Sequence, residues 1–303
     1  MAPPAQAPPQ IFDRARLAAR RDRIAKTFAD YSFLRQRVLA DLESRLDDTP
    51  RKFARGLELG AAGGELSARL LASGKAQAMV AADTAPAFLA AAQARGLDTA
   101  FADEEALPFP PASFDLIAAP LTLHWVNDLP GALAQIKRTL QPDGLFVGAL
   151  FGAGTLAELR SVLTEAEAEI MGGLAPRLSP LPGLRDMAGL LQRAGFALPV
   201  ADRDTVTVRY ADPLRLLADL KGMGERAAFT RGNGQLLPRR VLARAMALYR
   251  ERYAGPDGRV PATFEIVHVL GWAPAPGQPQ PLKPGSARAS LADAVRRVQK
   301  DEG

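Results

Sequence analysis

The 303-residue sequence contains no cysteine. That excludes disulfides, thiolate zinc sites, cysteine nucleophiles and cysteine-ligated iron–sulfur clusters, with the radical chemistry such clusters drive. There are two histidines, His124 and His268, far apart in the chain. A histidine-built metal site would need both of them plus carboxylates, so no metal is expected. No run of about 18 apolar residues occurs, and no transmembrane helix is expected. The lead from Met1 to Gln10 is rich in Pro, Ala and Gln and has no apolar stretch, which does not suit a secretory signal. Arg14 to Lys26 is basic, as a mitochondrial presequence is, but Asp13, Asp22 and Asp30 interrupt it. The composition fits a reducing compartment: bacterial cytoplasm, with the mitochondrial matrix as the alternative.

What is present is a globular composition. The chain is 48% hydrophobic and 23% charged, enough to build the core of one large domain. The net charge of +5 favours an acidic partner, although an ordinary solvated basic surface accounts for it as well; no nucleic acid is expected. We expect a disordered lead over 1–10, one domain over 11–273 and a Pro/Gly-rich flexible tail over 274–303.

Two helices come first, over Phe12–Phe28 and Ser32–Leu46. The second carries Leu34, Val38, Leu42 and Leu46 at helical spacing. Short apolar strands then alternate with helices: strands over Phe53–Leu59, Ala78–Ala82, Thr99–Ala102, Phe114–Ala119 and Leu145–Phe151. This rhythm predicts an α/β, doubly wound, mostly parallel sheet over a core at 53–151. Gln141-Pro142-Asp143-Gly144 reads as the break before the fifth strand. After Phe151 helices dominate, and strands are expected at Thr205–Tyr210 and Phe264–Trp272. The region 152–273 therefore predicts a terminal antiparallel pair with an inserted helical lid, and Leu291–Lys300 reads as a short helix or disordered chain.

The chemistry concentrates at the ends of the first strands. Leu57-Glu58-Leu59-Gly60-Ala61-Ala62-Gly63-Gly64 is a glycine-rich turn between a strand and a helix, where free N–H groups face a ligand. A dinucleotide fingerprint needs glycine where Ala62 stands. Glu58, at the strand end, is badly placed for a pyrophosphate and suits an ammonium, such as the amino end of methionine. Asp83 ends the second strand, where an acid accepts hydrogen bonds from both ribose hydroxyls of an adenosine. Asp103, with Glu104 beside it, follows the third strand and suits the exocyclic amine of adenine. Leu107 and Phe109 fit either beside that ring or in the core. Asp115 reads as structural.

ALPFPPASFDLI, with LELGAAGGE upstream and LQPDGLFV downstream, resembles the class I S-adenosylmethionine (SAM) dependent methyltransferases over about residues 53–151. Within them the chain looks like the malonyl-acyl-carrier-protein O-methyltransferases. It looks still more like the mitochondrial complex I assembly factors regarded as arginine hydroxylases, through IFDRARLAARRDR, LHWVNDLPGAL, FGAGTLAELR and TFEIVHVLGWAP. The resemblance implies a seven-stranded Rossmann-like sheet and SAM as cofactor. It places the methionine end on Glu58, Gly60 and Gly64, the ribose on Asp83 and the adenine on Asp103 and Glu104. Ala62 departs from the family's middle glycine. Pro120 stands where methyltransferases acting on nitrogen often carry an Asn/Asp-Pro-Pro-Tyr type motif, and that motif is absent.

His124 and Trp125 lie beyond the fourth strand, where an acceptor meets the methyl group. His124 is the candidate catalytic base; the plainer reading is a loop histidine packed with Trp125, since a carboxylate acceptor is already ionised. Arg14, Arg16, Arg20, Arg21 and Arg23 suit an acidic partner, or more simply a solvated helix face. The reading is a SAM-dependent methyltransferase acting on a small molecule or a carrier-protein carboxylate. The alternatives are a complex I assembly factor hydroxylating an arginine of a partner subunit and a non-catalytic SAM-binding protein. Hydroxylation would need an oxygen-activating group.

Overall fold

The computed structural model describes residues 9–230 and 237–279. Most of the lead, most of the tail and the segment Leu291–Lys300 lie outside the described residues. Seven strands form one sheet in the order β3-β2-β1-β4-β5-β7-β6. Strands β1 (Gly56–Leu59), β2 (Met79–Asp83), β3 (Asp98–Phe101), β4 (Phe114–Pro120) and β5 (Leu140–Phe151) are parallel, and β7 (Val260–Trp272) runs antiparallel between β5 and β6 (Ala197–Tyr210). This is the doubly wound sheet expected from the alternating pattern.

Each local feature has a chemical reason. Strands β1, β2 and β4 are buried along their whole length, as central parallel strands covered on both faces must be. Helix α1 (Arg14–Ile24) starts where the Asp13 carboxylate accepts from Arg16 N at 2.8 Å. Helix α4 (Pro86–Ala94) opens on proline, which has no N–H to leave unpaired there. Helix α5 (Leu129–Thr139) is capped by Asp128.

Two apolar layers sandwich the sheet. One joins α2 (Phe33–Asp47), α3 (Glu65–Ala72), α6 (Ala157–Met171), α8 (Pro213–Gly222) and α9 (Arg239–Tyr253) through residues such as Leu42, Leu66, Val162, Leu216 and Tyr249. The other joins α5 and α7 (Leu184–Ala194) through Leu133, Ile136, Met187 and Leu191. Leu107 belongs to this second layer, and Phe109 packs edge-on against Phe114.

Several boundaries differ from the sequence expectation: the first strand begins at Gly56 rather than Phe53, and the last at Val260 rather than Phe264. The Gln141–Gly144 break lies inside β5, with Asp143 in the left-handed region (φ +61°). Strand β6 begins at Ala197 rather than Thr205. Its exposed Arg203 and half-buried Asp202 and Asp204 break the apolar pattern, which an edge strand tolerates. Ala273 is buried, exchanges backbone hydrogen bonds with Asp143 and Gly144, and is followed by Gln278, which donates to Asp143 at 2.7 Å. Contacts with the turn inside β5 thus continue as far as Gln278.

Candidate active site

The carboxyl ends of β1, β2 and β4 open onto one side of the sheet, and the predicted acids are gathered there. In the turn after β1, Gly60, Ala62, Gly63 and Gly64 all have positive φ. A Cβ on Gly60 would collide with Thr122, so that glycine is required by packing; Gly64 is favoured by its φ of +73°, since its Cβ would meet the movable end of Leu97. A Cβ on Gly63 would touch only Ala91, at 3.7 Å, which leaves that backbone open. Ala62 stands at φ +48°, a left-handed position that glycine fills without strain.

Glu58 is fully buried. Its Oε1 accepts from Arg35 Nη2 at 3.0 Å, and its Oε2 accepts from the backbone N (2.9 Å) and hydroxyl (2.8 Å) of Ser67 in α3. Burial pushes the Glu58 carboxyl upward, against the pull of Arg35 and Ser67. Arg35 also donates to the carbonyls of Pro120 and Ala61, tying α2 to β4 and to the glycine turn. Both oxygens of Glu58 hold protein donors, so an ammonium does not meet them directly in this arrangement; Arg35 is the charge nearer the opening.

Asp83 is 2% exposed and accepts from Ala62 N (3.0 Å), Ala85 N (3.0 Å) and Arg21 Nη2 (2.6 Å). Burial pushes its carboxyl up, but the Arg21 guanidinium and the two amides outweigh that and hold it below the usual carboxylate range. Asp103 accepts from Arg14 Nη2 at 2.8 Å. Glu104 binds the same guanidinium and the Thr122 hydroxyl. The α1 arginines are thus not uniformly a solvated face: the side chains of Arg14 and Arg21 are 15% and 13% exposed and point into the site.

His124 is buried in the turn after β4. Its Nε2 lies 3.0 Å from Glu225 Oε2, which also accepts from Trp125 Nε1 at 3.1 Å. The partner of His124 is therefore a carboxylate. Glu225 was not legible in the sequence, because it follows α8 with no motif around it. It faces two cavities. One is lined by Arg21, Tyr31, Arg35, Leu121, Phe151 and Glu225 among others. The other is lined by His124, Trp125, Phe151, Leu156, Arg160 and Glu225 among others. Phe151 and Glu225 form the wall common to both. His268 lies elsewhere, on β7 and 3.8 Å from Asp41, so the fold leaves the two histidines in separate surroundings. Among the described residues no three His, Asp or Glu side chains are grouped as a metal site. Asp115 accepts from the amides of Ala54 and Arg55.

The residues present suit an adenosyl and methionine ligand. Acids stand at successive strand ends, the backbone at Gly63 is open, and a cationic cavity beside Arg35 adjoins them. Fold and site together define the class: a methyltransferase of class I, the SAM-dependent type. Residues 57–148 match the family described as "Methyltransferase domain". Over 299 residues the chain is 38% identical to the mitochondrial arginine-hydroxylase NDUFAF5 of Danio rerio, covering 96% of this chain and 92% of that protein. It is 35% identical over 277 residues to the malonyl-[acyl-carrier protein] O-methyltransferase of Halorhodospira halophila, covering 89% and 91%. The YcgJ protein of Bacillus subtilis shares the fold at 14% identity, with a TM-score of 0.56 over 79% of this chain and 99% of that one. The chain belongs to the methyltransferase-fold family that contains the arginine hydroxylases and the malonyl-carrier-protein methyltransferases.

Proposed function

We propose that the chain binds SAM at the carboxyl ends of β1–β3 and transfers its methyl group to an acceptor held in the cavity beside His124. The observation that carries this reading is the shared wall. A cavity beside the cofactor acids and a second, largely apolar cavity meet at Phe151 and Glu225. When bound, SAM supplies a methyl group on a sulfonium. Asp83 is placed for the ribose, Asp103 and Glu104 for the adenine, and Gly60, Gly63 and Gly64 shape the turn. Arg35, held by Glu58, supports the methionine end. The cavity beside His124 would align the acceptor with the methyl group. Where the acceptor carries a proton, the His124–Glu225 pair is positioned to take it at a Glu225 carboxylate oxygen, while His124 Nε2 donates to that carboxylate.

A second reading is modification of an arginine on a complex I subunit. Two observations favour it: the near full-length likeness to arginine hydroxylases, and the Glu225 carboxylate in the acceptor cavity, which suits a guanidinium. Arg160 in the same cavity suits the carboxylate of a malonyl carrier instead. The first setting would be respiratory assembly, mitochondrial in those relatives; the second would be bacterial cytoplasm. Among the described residues no helix is long and apolar enough to cross a membrane. The test incubates the protein with methyl-labelled SAM and, in turn, a malonyl carrier protein and an isolated complex I subunit. Label on the carrier supports methyl transfer to a carboxylate. An added oxygen mass on a subunit arginine, without label, supports the second reading. A protein that binds SAM but changes neither points to the non-catalytic role.

A further inference from the structure

Arg14 and Arg21 are seven residues apart on α1, two turns, and so lie on one face of the helix with Leu17 between them. That face is laid across the site. Arg14 holds Asp103 and Glu104, and Arg21 holds Asp83 while its guanidinium sits 5.2 Å from the Phe88 ring. Leu17 is the one buried residue of the helix. The docking of α1 rests on these charge pairs, on Arg20, which donates to the carbonyls of Arg226 and Ala227, on Asp22, which accepts from Ala87 N at 2.7 Å, and on the strap that precedes the helix. In that strap Phe12 packs on Trp125 and Phe229, and Asn127 accepts from the amides of Ile11 and Phe12. A helix with so small an apolar contact can leave while the strap stays anchored.

We propose that α1 is a latch on the cofactor site: Arg14 and Arg21 occupy the carboxylates of Asp103 and Asp83, so that docked α1 and bound cofactor are alternative states. This rests on the reading that those two acids receive the adenosine. An acid that already accepts a short charged hydrogen bond must release it before it accepts a ribose hydroxyl or an adenine amine. Cofactor binding then frees α1, and by reciprocity whatever frees α1 strengthens cofactor binding by the same factor. The helix also carries Arg16, Arg20 and Arg23, so an undocked α1 presents a strongly cationic segment.

The test measures binding of S-adenosylhomocysteine by calorimetry to the full chain, to Arg14→Gln/Arg21→Gln, and to Leu17→Ser, which loosens α1 without altering a charge. Amide exchange across residues 15–24 is followed with and without ligand. The latch predicts that both variants bind about tenfold more tightly, within the usual range of coupling between sites. It also predicts faster exchange of α1 in both variants without ligand, and in the unaltered chain when ligand is added. Weaker or unchanged binding in both variants, or slower α1 exchange on ligand addition, overturns the latch and makes the arginines part of the cofactor site. If no form binds the ligand, the cofactor reading falls and the latch with it. If the unaltered chain binds and the variants do not gain, the latch alone falls.

Discussion

Arg21 and Asp83 are 62 residues apart in sequence, and their guanidinium and carboxylate stand 2.6 Å apart in space. The Asp83 carboxyl lies below its ordinary value because Arg21 and two backbone amides outweigh its burial. A depressed carboxylate contributes stability that is complete above the unfolded value, about 3.9, and is lost as pH falls through the folded value. Asp83→Asn should therefore lower stability at pH 7 and flatten its fall below pH 4, as read by urea unfolding across pH 3–7.

Arg35 neutralises Glu58 in a buried pair, Glu58 without exposure and Arg35 reaching the cavity through 6% of its side chain. Removing one partner strands a buried charge, at a cost of about 3–5 kcal/mol. Arg35→Ala should cost about that much in urea unfolding. Arg35→Met combined with Glu58→Gln should cost clearly less, because neither charge is then left alone.

His268 is buried on β7 with both ring nitrogens unpartnered. Burial, aided by Arg45, holds its pKa below the ordinary value, although Asp202, Asp41 and Asp204 pull the other way. The neutral ring is the folded form. Stability is thus complete above about pH 6.5, the unfolded value, and falls as pH drops toward the folded one. His268→Gln should remove this loss, measured as a smaller drop in melting temperature between pH 7 and pH 5.

Glu225 bridges His124 and Trp125 at the wall between the cavities. With an acceptor that must lose a proton, Glu225→Gln should lower turnover by about 10²-fold or more. With a carboxylate acceptor it should change turnover little. Initial rates with each acceptor distinguish the two.

Much of the fold was legible because α/β alternation writes itself into short apolar strands and glycine-ended helices. The acids at the strand ends were legible for the same reason: Glu58, Asp83 and Asp103 sit where a strand stops. What covers them was not. Arg14 and Arg21 look in sequence like any solvated basic face, and only tertiary placement of α1 over β2 and the loop after β3 turns them inward. Glu58 was found, but its partner Arg35 lies in a helix whose apolar stripe conceals it. Glu225 has no local pattern at all. Its position depends on how the segment after α8 folds back onto the turn that holds His124.

The central claim is that the acids at the strand ends receive SAM. The direct measurement is calorimetric titration of S-adenosylhomocysteine into the unaltered chain and into Asp83→Ala. The account predicts one site per chain and a loss in the variant of about 1.5–3 kcal/mol, roughly 10- to 150-fold, the worth of hydrogen bonds to a charged group. Equal affinity in the two proteins, or no binding to the unaltered chain, would contradict it.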